Sequence, residues 1–395
     1  MSDPTTGEQP ETVIVFPNAA QLENVSRTAA DTGTPLTVIV PDGAPRPAAA
    51  GVTVLSATEA AGRTAPHGAR VMCCHESGVY WVAEHRAAVG SPNFAEVCLD
   101  MLVKTRLAAE LGALGVTVVD KRRLDEVEDR DALSYPLIAK PDFGFASMLV
   151  KRIPDARALE EYERSYRELR ERSLLTEYDD FIAAYPDADP WNVILEPDLT
   201  RGTLFLTVPF LVRDGDLAGM FPVQGVGRRG DELTDFHWSA FHCGDVPENA
   251  ANALRRDLEL IIEGLELTGG VYEIEALYDE RHDTLHVLEF SPRVTGGFIP
   301  ELVRRTTGVD VELLGLQHFL GIEPTTATAP GPITPHLLAL LHEDDPEPAQ
   351  ARGAAPVASR SRHLGGVEFR DVIYPCPAPN PAAGPGNPAP GQAAA

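Results

Sequence analysis

Residues 271–300, VYEIEALYDERHDTLHVLEFSPRVTGGFIP, constrain this chain more than any other stretch, because they read as a β-hairpin with an inward-facing carboxylate on each strand. Tyr272, Ile274, Ala276 and Tyr278 alternate with Glu273, Glu275 and Leu277 on the first strand. The second strand places Leu285, Val287 and Glu289 together, with residues 279–283 as the polar turn. Glu275 and Glu289 side by side across a ladder would repel each other unless a divalent cation lay between them, and hard oxygen ligands of this kind suit Mg²⁺ on nucleotide phosphates. Two solvated glutamates on an ordinary hairpin are the plainer alternative. Arg293 and the pair Gly296-Gly297 follow at once.

A second segment bears on that choice. Residues 135–151, YPLIAKPDFGFASMLVK, read as an apolar strand (137–139) ending in Lys140-Pro141, a small-residue loop from Phe143 to Ser147, and a second strand at 148–150. A lysine beside a loop with free N–H groups can contact a triphosphate, and a structural turn between two strands fits the same residues equally well. No GxxxxGK[ST] occurs, and no GxGxxG follows a strand as a dinucleotide fingerprint would.

The opening of the chain has β-α-β character: a strand at 12–16, a helix over 19–32 and a strand at 36–40, which indicates a parallel sheet. Further on, the pattern predicts a strand at 71–74 and helices over 79–88, 100–114, 155–172, 248–267 and 300–320. It also predicts a strand pair, 204–212 and 217–226, around Asp214-Gly215. Residues 177–189 read as a loop or lid, and 363–375 as a hairpin. Residues 376–395 are a Pro/Ala/Gly tail with nothing to bury, expected to be disordered.

A length of 395 residues with 44% apolar content suits two or three domains with real cores. The formal charge of −26 argues against nucleic acid or an anionic membrane as a main partner, so basic residues should cluster where phosphates bind. The five cysteines follow no zinc or disulfide spacing and read as reduced thiols, with Cys73-Cys74 as small core residues at a strand end. No signal pattern or membrane-length apolar run is present, and the expectation is a soluble, cytoplasmic protein.

Taken together, the motifs resemble the ATP-grasp superfamily of carboxylate–amine ligases over roughly residues 12 to 320. In order come Lys104, Lys140-Pro141, a loop ending in Ser147, the hinge Ile194-Leu195-Glu196-Pro197, Glu275, and the run Glu289-x-Ser291-Pro292-Arg293-x-x-Gly296-Gly297. The resemblance implies an α/β chain with α+β lobes: an ATP-grasp fold with an N-terminal Rossmann-like domain (10–98), a small lobe (99–195) and a large lobe with a C-terminal extension (196–375).

It further implies that Lys104 and Lys140 contact the α- and β-phosphates of ATP, that Ser147 and the backbone around Gly144 cap the terminal phosphates, and that Glu196 begins the adenine hinge. Pro197 has no N–H, so the backbone donor to the base is expected from Asp198 or Leu199. Glu275, Glu289 and Ser291 would hold Mg²⁺ (Mn²⁺ as an alternative), with serine a shorter ligand than the asparagine of many relatives.

Within the superfamily the chain is most similar to bacterial L-amino-acid ligases, the dipeptide synthases. Glu76 then matches a glutamate that holds a substrate amino group, and Arg293 an arginine that steadies the acyl phosphate; Gly296 joins the substrate site. Those enzymes can carry histidine where this chain has Glu273, which suggests a different, amine-bearing substrate group. A helix cap for Glu76 and a counter-ion role for Arg293 are the structural alternatives. Arg228-Arg229 could reach the γ-phosphate or face solvent, and His237, Trp238 and His242 could line an acceptor pocket.

The function expected on this resemblance is ADP-forming ligation of two amino acids into a dipeptide or related amide, in natural-product (antibiotic) biosynthesis. A γ-glutamyl-type ligase, a bicarbonate-activating carboxylase and a non-catalytic nucleotide-binding regulator are the alternatives. The expected partners are two small molecules, with a homodimer compatible with the sequence.

Overall fold

The computed structural model describes residues 11–46, 48, 50–143, 149–171, 192–229, 237–243, 246–325, 334–342, 356–364 and 367–375. Four short apolar strands, β1 (Thr12–Val15), β2 (Leu36–Val40), β3 (Val52–Ser56) and β4 (Arg70–Cys73), form a parallel sheet in the order β3-β2-β1-β4. Its first crossover is α1 (Ala19–Thr32), opened by a reciprocal cap in which Asn18 Oδ1 accepts from Gln21 N and Gln21 Oε1 accepts from Asn18 N. The strand β3 was not anticipated, because polar Thr53 and Ser56 interrupt its apolar run.

The helices α2 (Ala57–Ala61), α3 (Glu76–Glu84), α4 (Arg86–Val89), α5 (Pro92–Leu102) and α6 (Lys104–Ala113) follow. The single helix expected over 100–114 is two helices, broken at Val103. There the chain extends to pair with Phe143, and the Lys104 N–H donates to the Asp142 carbonyl at 2.9 Å. The Asp142 carboxylate then accepts from the Thr105 N–H (2.9 Å) and hydroxyl (2.6 Å), so a residue 37 positions away caps α6.

A second, antiparallel sheet has β5 (Arg122–Arg123), β6 (Leu137–Pro141), β7 (Lys151–Ile153) and β8 (Val193–Pro197) in the order β5-β8-β6-β7. Lys140 therefore lies within a strand, and the strand expected at 148–150 begins instead at Lys151, after Leu149 adopts φ 60°. The helix α7 (Ala156–Glu171) buries Leu159, Tyr162 and Tyr166 against this sheet, leaving its charged face to solvent.

The third sheet is antiparallel: β9 (Thr203–Arg213), β10 (Asp216–Met220), β11 (Val223–Arg229), β12 (His237–Cys243), β13 (Gly269–Asp279), β14 (Thr284–Ser291), β15 (His336–His342), β16 (Ala358–Leu364) and β17 (Val367–Pro375). Its order is β14-β13-β9-β11-β12-β15-β17-β16, with β10 also on β9. The strand expected over 217–226 is thus two strands, and the C-terminal hairpin expected at 363–375 is β16 and β17.

Three helices cover this sheet: α8 (Glu248–Gly264), α9 (Ile299–Thr307) and α10 (Val311–Leu320). The pair α9 and α10 replaces the single helix expected over 300–320, because Gly308 takes a left-handed conformation (φ 80°) that ends α9. On one face α6 and α8 pack against Tyr272, Ile274, Ala276, Leu285 and Val287; on the other, α10 packs against Val271 and Leu211. No helix among the described residues is long and apolar enough to cross a membrane. Cys73, Cys74, Cys98 and Cys243 are free and buried, as small core residues would be; Cys376 and the tail lie outside the described residues.

Candidate active site

The three sheets meet at a cleft of about 420 Å³, the size range of small-molecule sites. Its floor is one face of β13, where the alternation that puts Val271 under α10 carries Glu273, Glu275 and Leu277 into the cleft. Glu275 stands directly opposite Glu289 of β14. This pairing depends on a β-bulge. The register runs Glu275↔Glu289 and then Ala276↔Val287, so Leu288 is the extra residue. Val287 consequently packs in the core with Leu285, whereas Glu289 turns into the cleft. The expectation that Leu285, Val287 and Glu289 share a face is corrected by this one residue.

Burial, and then the charges of Glu289 and Glu273, push the Glu275 carboxyl well above the usual carboxylate range. A hard divalent cation between the two groups would relieve that repulsion, so the donor set fits Mg²⁺ or Mn²⁺, and Ser291, opposite Glu273, lines the same wall. Among the described residues no cluster of three or more His, Cys, Asp or Glu is arranged to hold an ion alone. Such an ion would share its coordination with a bound ligand.

Beyond β14 the chain is stitched to the first sheet: Arg293 bridges to Cys73, and the Val294 N–H donates to the Cys73 carbonyl at 3.1 Å. That contact brings the end of β4 and the start of α3 onto the hairpin, which places Glu76 at Arg293. The guanidinium Nε donates to Glu76 Oε2 (2.5 Å), and Nη1 donates to Glu273 Oε2 (2.6 Å) and the Val294 carbonyl (3.0 Å). Burial disfavours the Arg293 charge, but Glu273 and Glu76 outweigh it and hold the group protonated far above its ordinary range. The Gly296 N–H also points to Glu273 Oε2, at 3.4 Å, and Gly297 makes the turn with φ 68°. The cap of α3 is His75, whose Nδ1 accepts from the Ser77 N–H, so Glu76 is not the capping residue.

Opposite this wall the second sheet supplies cations. Lys140 of β6 and Glu196 of β8 are buried, with Lys140 Nζ 2.9 Å from Glu196 Oε1. Lys121 Nζ approaches the same oxygen at 3.2 Å. Burial alone would raise Glu196, but the two lysines bring it below the usual glutamate range. Lys140, disfavoured by burial, is held above the lysine range by Glu196 and then Glu289. Lys104, at the start of α6, reaches to within 3.5 Å of Glu289 Oε1.

No family model matches the sequence, and no curated protein matches it. Solved structures do. An L-amino acid ligase from Bacillus licheniformis superposes with a TM-score of 0.64 at 16% identity, covering 93% of this chain and 94% of that one. Carboxyaminoimidazole ribonucleotide synthase from Aspergillus clavatus, solved with ATP, gives 0.60 at 14% over 93% and 94%. The biotin carboxylase domain of a Hydrogenobacter thermophilus 2-oxoglutarate carboxylase, solved with MgADP and bicarbonate, gives 0.59 at 14% over 94% and 87%.

The chain has the ATP-grasp fold. Its cleft gathers most of the residues singled out in the sequence: Glu76, Lys104, Lys140, Glu196, Leu199, Glu273, Glu275, Glu289, Ser291, Arg293 and Gly296 all line it. Gly144 and Ser147 lie outside the described residues, as do the side chains of Arg228, Arg229, His237 and Trp238. His242 does not line the ATP-grasp cleft.

Asp198 needs correction. Its N–H already donates to the Pro136 carbonyl, and its carboxylate takes Arg152 Nε (2.6 Å) and the Thr200 hydroxyl (2.5 Å). Those contacts outweigh burial and hold it below the usual aspartate range. These contacts fasten β8 to β7, and the Leu199 N–H likewise donates, to the Pro197 carbonyl at 2.9 Å. Lys121 and Asp142 were missed. Lys121 sits in a basic run, DKRR, that reads as surface, and Asp142 acts through chain distant in sequence.

Proposed function

We propose that this protein is an ATP- and Mg²⁺-dependent ligase that activates the carboxylate of one amino acid as an acyl phosphate. It then couples that group to the amino group of a second amino acid, releasing ADP and phosphate. The observation that carries the substrate class is the Glu76–Arg293–Glu273 arrangement, a guanidinium held between two carboxylates on the cleft wall. An α-amino acid offers both signs of charge within one small group, and this wall offers both in return. Bicarbonate, a bare anion, would gain Arg293 but face the two glutamates, so the geometry favours the amino acid.

In the chemistry, a carboxylate oxygen forms a bond to the γ-phosphorus and the β–γ bridging oxygen leaves with ADP. The amine nitrogen then bonds to the acyl carbon, phosphate departs, and the ammonium proton is released. Lys140 and Lys104 are disposed to offset phosphate charge, and the Leu199 N–H would leave the Pro197 carbonyl to meet an adenine edge. Arg293 steadies the oxygen that gains charge as the amine attacks. Magnesium held by Glu275 and Glu289 would supply charge neutralisation at the phosphates.

The test is phosphate release with MgATP over amino acids singly and in pairs, with mass detection of condensed products and hydroxylamine as a trap for the acyl phosphate. ADP, phosphate and a hydroxamate or dipeptide are expected. Formation of AMP and pyrophosphate, or turnover with bicarbonate but no amino acid, would sink the reading.

A further inference from the structure

Lys121, Glu196 and Lys140 form a buried row in which both ammonium groups address one carboxylate oxygen, at 3.2 and 2.9 Å. Their side chains are only 2%, 4% and 8% exposed. Lys140 and Glu196 line the cleft, and Lys121 does not. Lys121 stands behind the pair, its Nζ also 3.3 Å from the Val119 carbonyl. The segment that leads to it is pinned to the hairpin: Val118 bridges to Val287, and the Val119 N–H donates to the Val287 carbonyl.

A second lysine here is costly if its task is only to hold the fold together. One ammonium already pairs with Glu196, and a further one must be stripped of water next to a like charge. Burial, together with Lys140, indeed draws Lys121 below the ordinary lysine range against the pull of Glu196. The electrostatic consequence falls on Lys140. Paired with Glu196 alone, it would present a neutral dipole to the cleft, its attraction for an anion largely cancelled by the carboxylate at its back. With Lys121 present the row carries a net positive charge.

We propose that Lys121 is a positioning residue of the phosphate site: it neutralises Glu196 from behind, so that Lys140 meets a phosphoryl ligand as an uncancelled cation. This rests on the nucleotide reading of the cleft given above. The full-length chain is titrated with ADP and with adenosine by calorimetry, as wild type, Lys121→Met, Glu196→Gln and the double variant. Lys121→Met should lower ADP affinity on the order of tenfold or more while adenosine binding stays nearly unchanged. Adding Glu196→Gln should restore ADP affinity to near that of wild type, since no carboxylate then needs neutralising.

Equal losses for ADP and adenosine, unchanged ADP affinity, or no restoration in the double variant would each overturn the proposal. Should Lys121→Met not fold, the double variant decides, because it removes one buried charge of each sign: ADP affinity near that of wild type supports the proposal, and a loss overturns it. A wild-type chain that binds neither ligand fails the nucleotide reading itself, and this proposal with it.

Discussion

At Arg293 the planar fork does what a point charge could not. Nε serves Glu76, Nη1 serves Glu273 and the Val294 carbonyl, and Nη2 makes no hydrogen bond among the described residues. Arg293→Lys keeps the charge but cannot span both carboxylates while facing a substrate. On the proposed oxyanion role, the maximal rate of hydroxamate formation should fall about a hundred- to a thousandfold, matching the roughly 2.7–4 kcal/mol typical of one such donor, with ADP affinity nearly unchanged. A folded lysine variant that turns over normally would reduce Arg293 to a counter-ion. The residues of this site were legible in sequence as motif members, but their contacts were not. Glu76 and Arg293 are 217 positions apart, and only the bridge between Cys73 and Arg293 explains why they meet. Asp198 was misread for the same reason, since the partner of its N–H, Pro136, belongs to another segment.

The strand β13 has a packing constraint at one end and the candidate metal wall in its middle. A Cβ added at Gly315 of α10 would lie 2.6 Å from Val271 Cβ and 2.7 Å from its Cγ1, and two residues further along the same face stands Glu273. Gly315→Ala must therefore push α10 off the sheet or shift β13. A loss of about 1–3 kcal/mol is expected, read as a lower urea midpoint at unchanged slope. An unaltered midpoint would mean that α10 moves away at no cost. Alternation and helical periodicity made the long elements legible, including α1, α7, α8 and the β13–β14 hairpin. What they could not show were interruptions caused by distant partners. Asp142 starts a new helix at Lys104, and the bulge at Leu288 reverses which residues face inward.

The cleft belongs to the whole molecule, since Glu76, Lys140 and Glu275 come from chain associated with three different sheets. A ligand touching all three should stabilise the entire structure. MgADP at a hundredfold excess over its dissociation constant is expected to add about 2.7 kcal/mol. In a thermal scan the midpoint should rise with MgADP for wild type and not for Lys140→Ala at the same concentration. Equal rises would move the phosphates away from Lys140. The formal charge of −26 had already directed attention to local clusters of cations, and Lys104, Lys121 and Lys140 are such a cluster, set against the hairpin. The bulge at Leu288 gives that hairpin an unusual vulnerability. Deleting Leu288 would leave Val287 and Glu289 adjacent on opposite faces, with Glu289 still across from Glu275, whereas flattening the bulge with every residue kept would send Glu289 to the face packed by α6 and α8. Along β14 the site is therefore encoded in where the ladder bends as well as in residue identity.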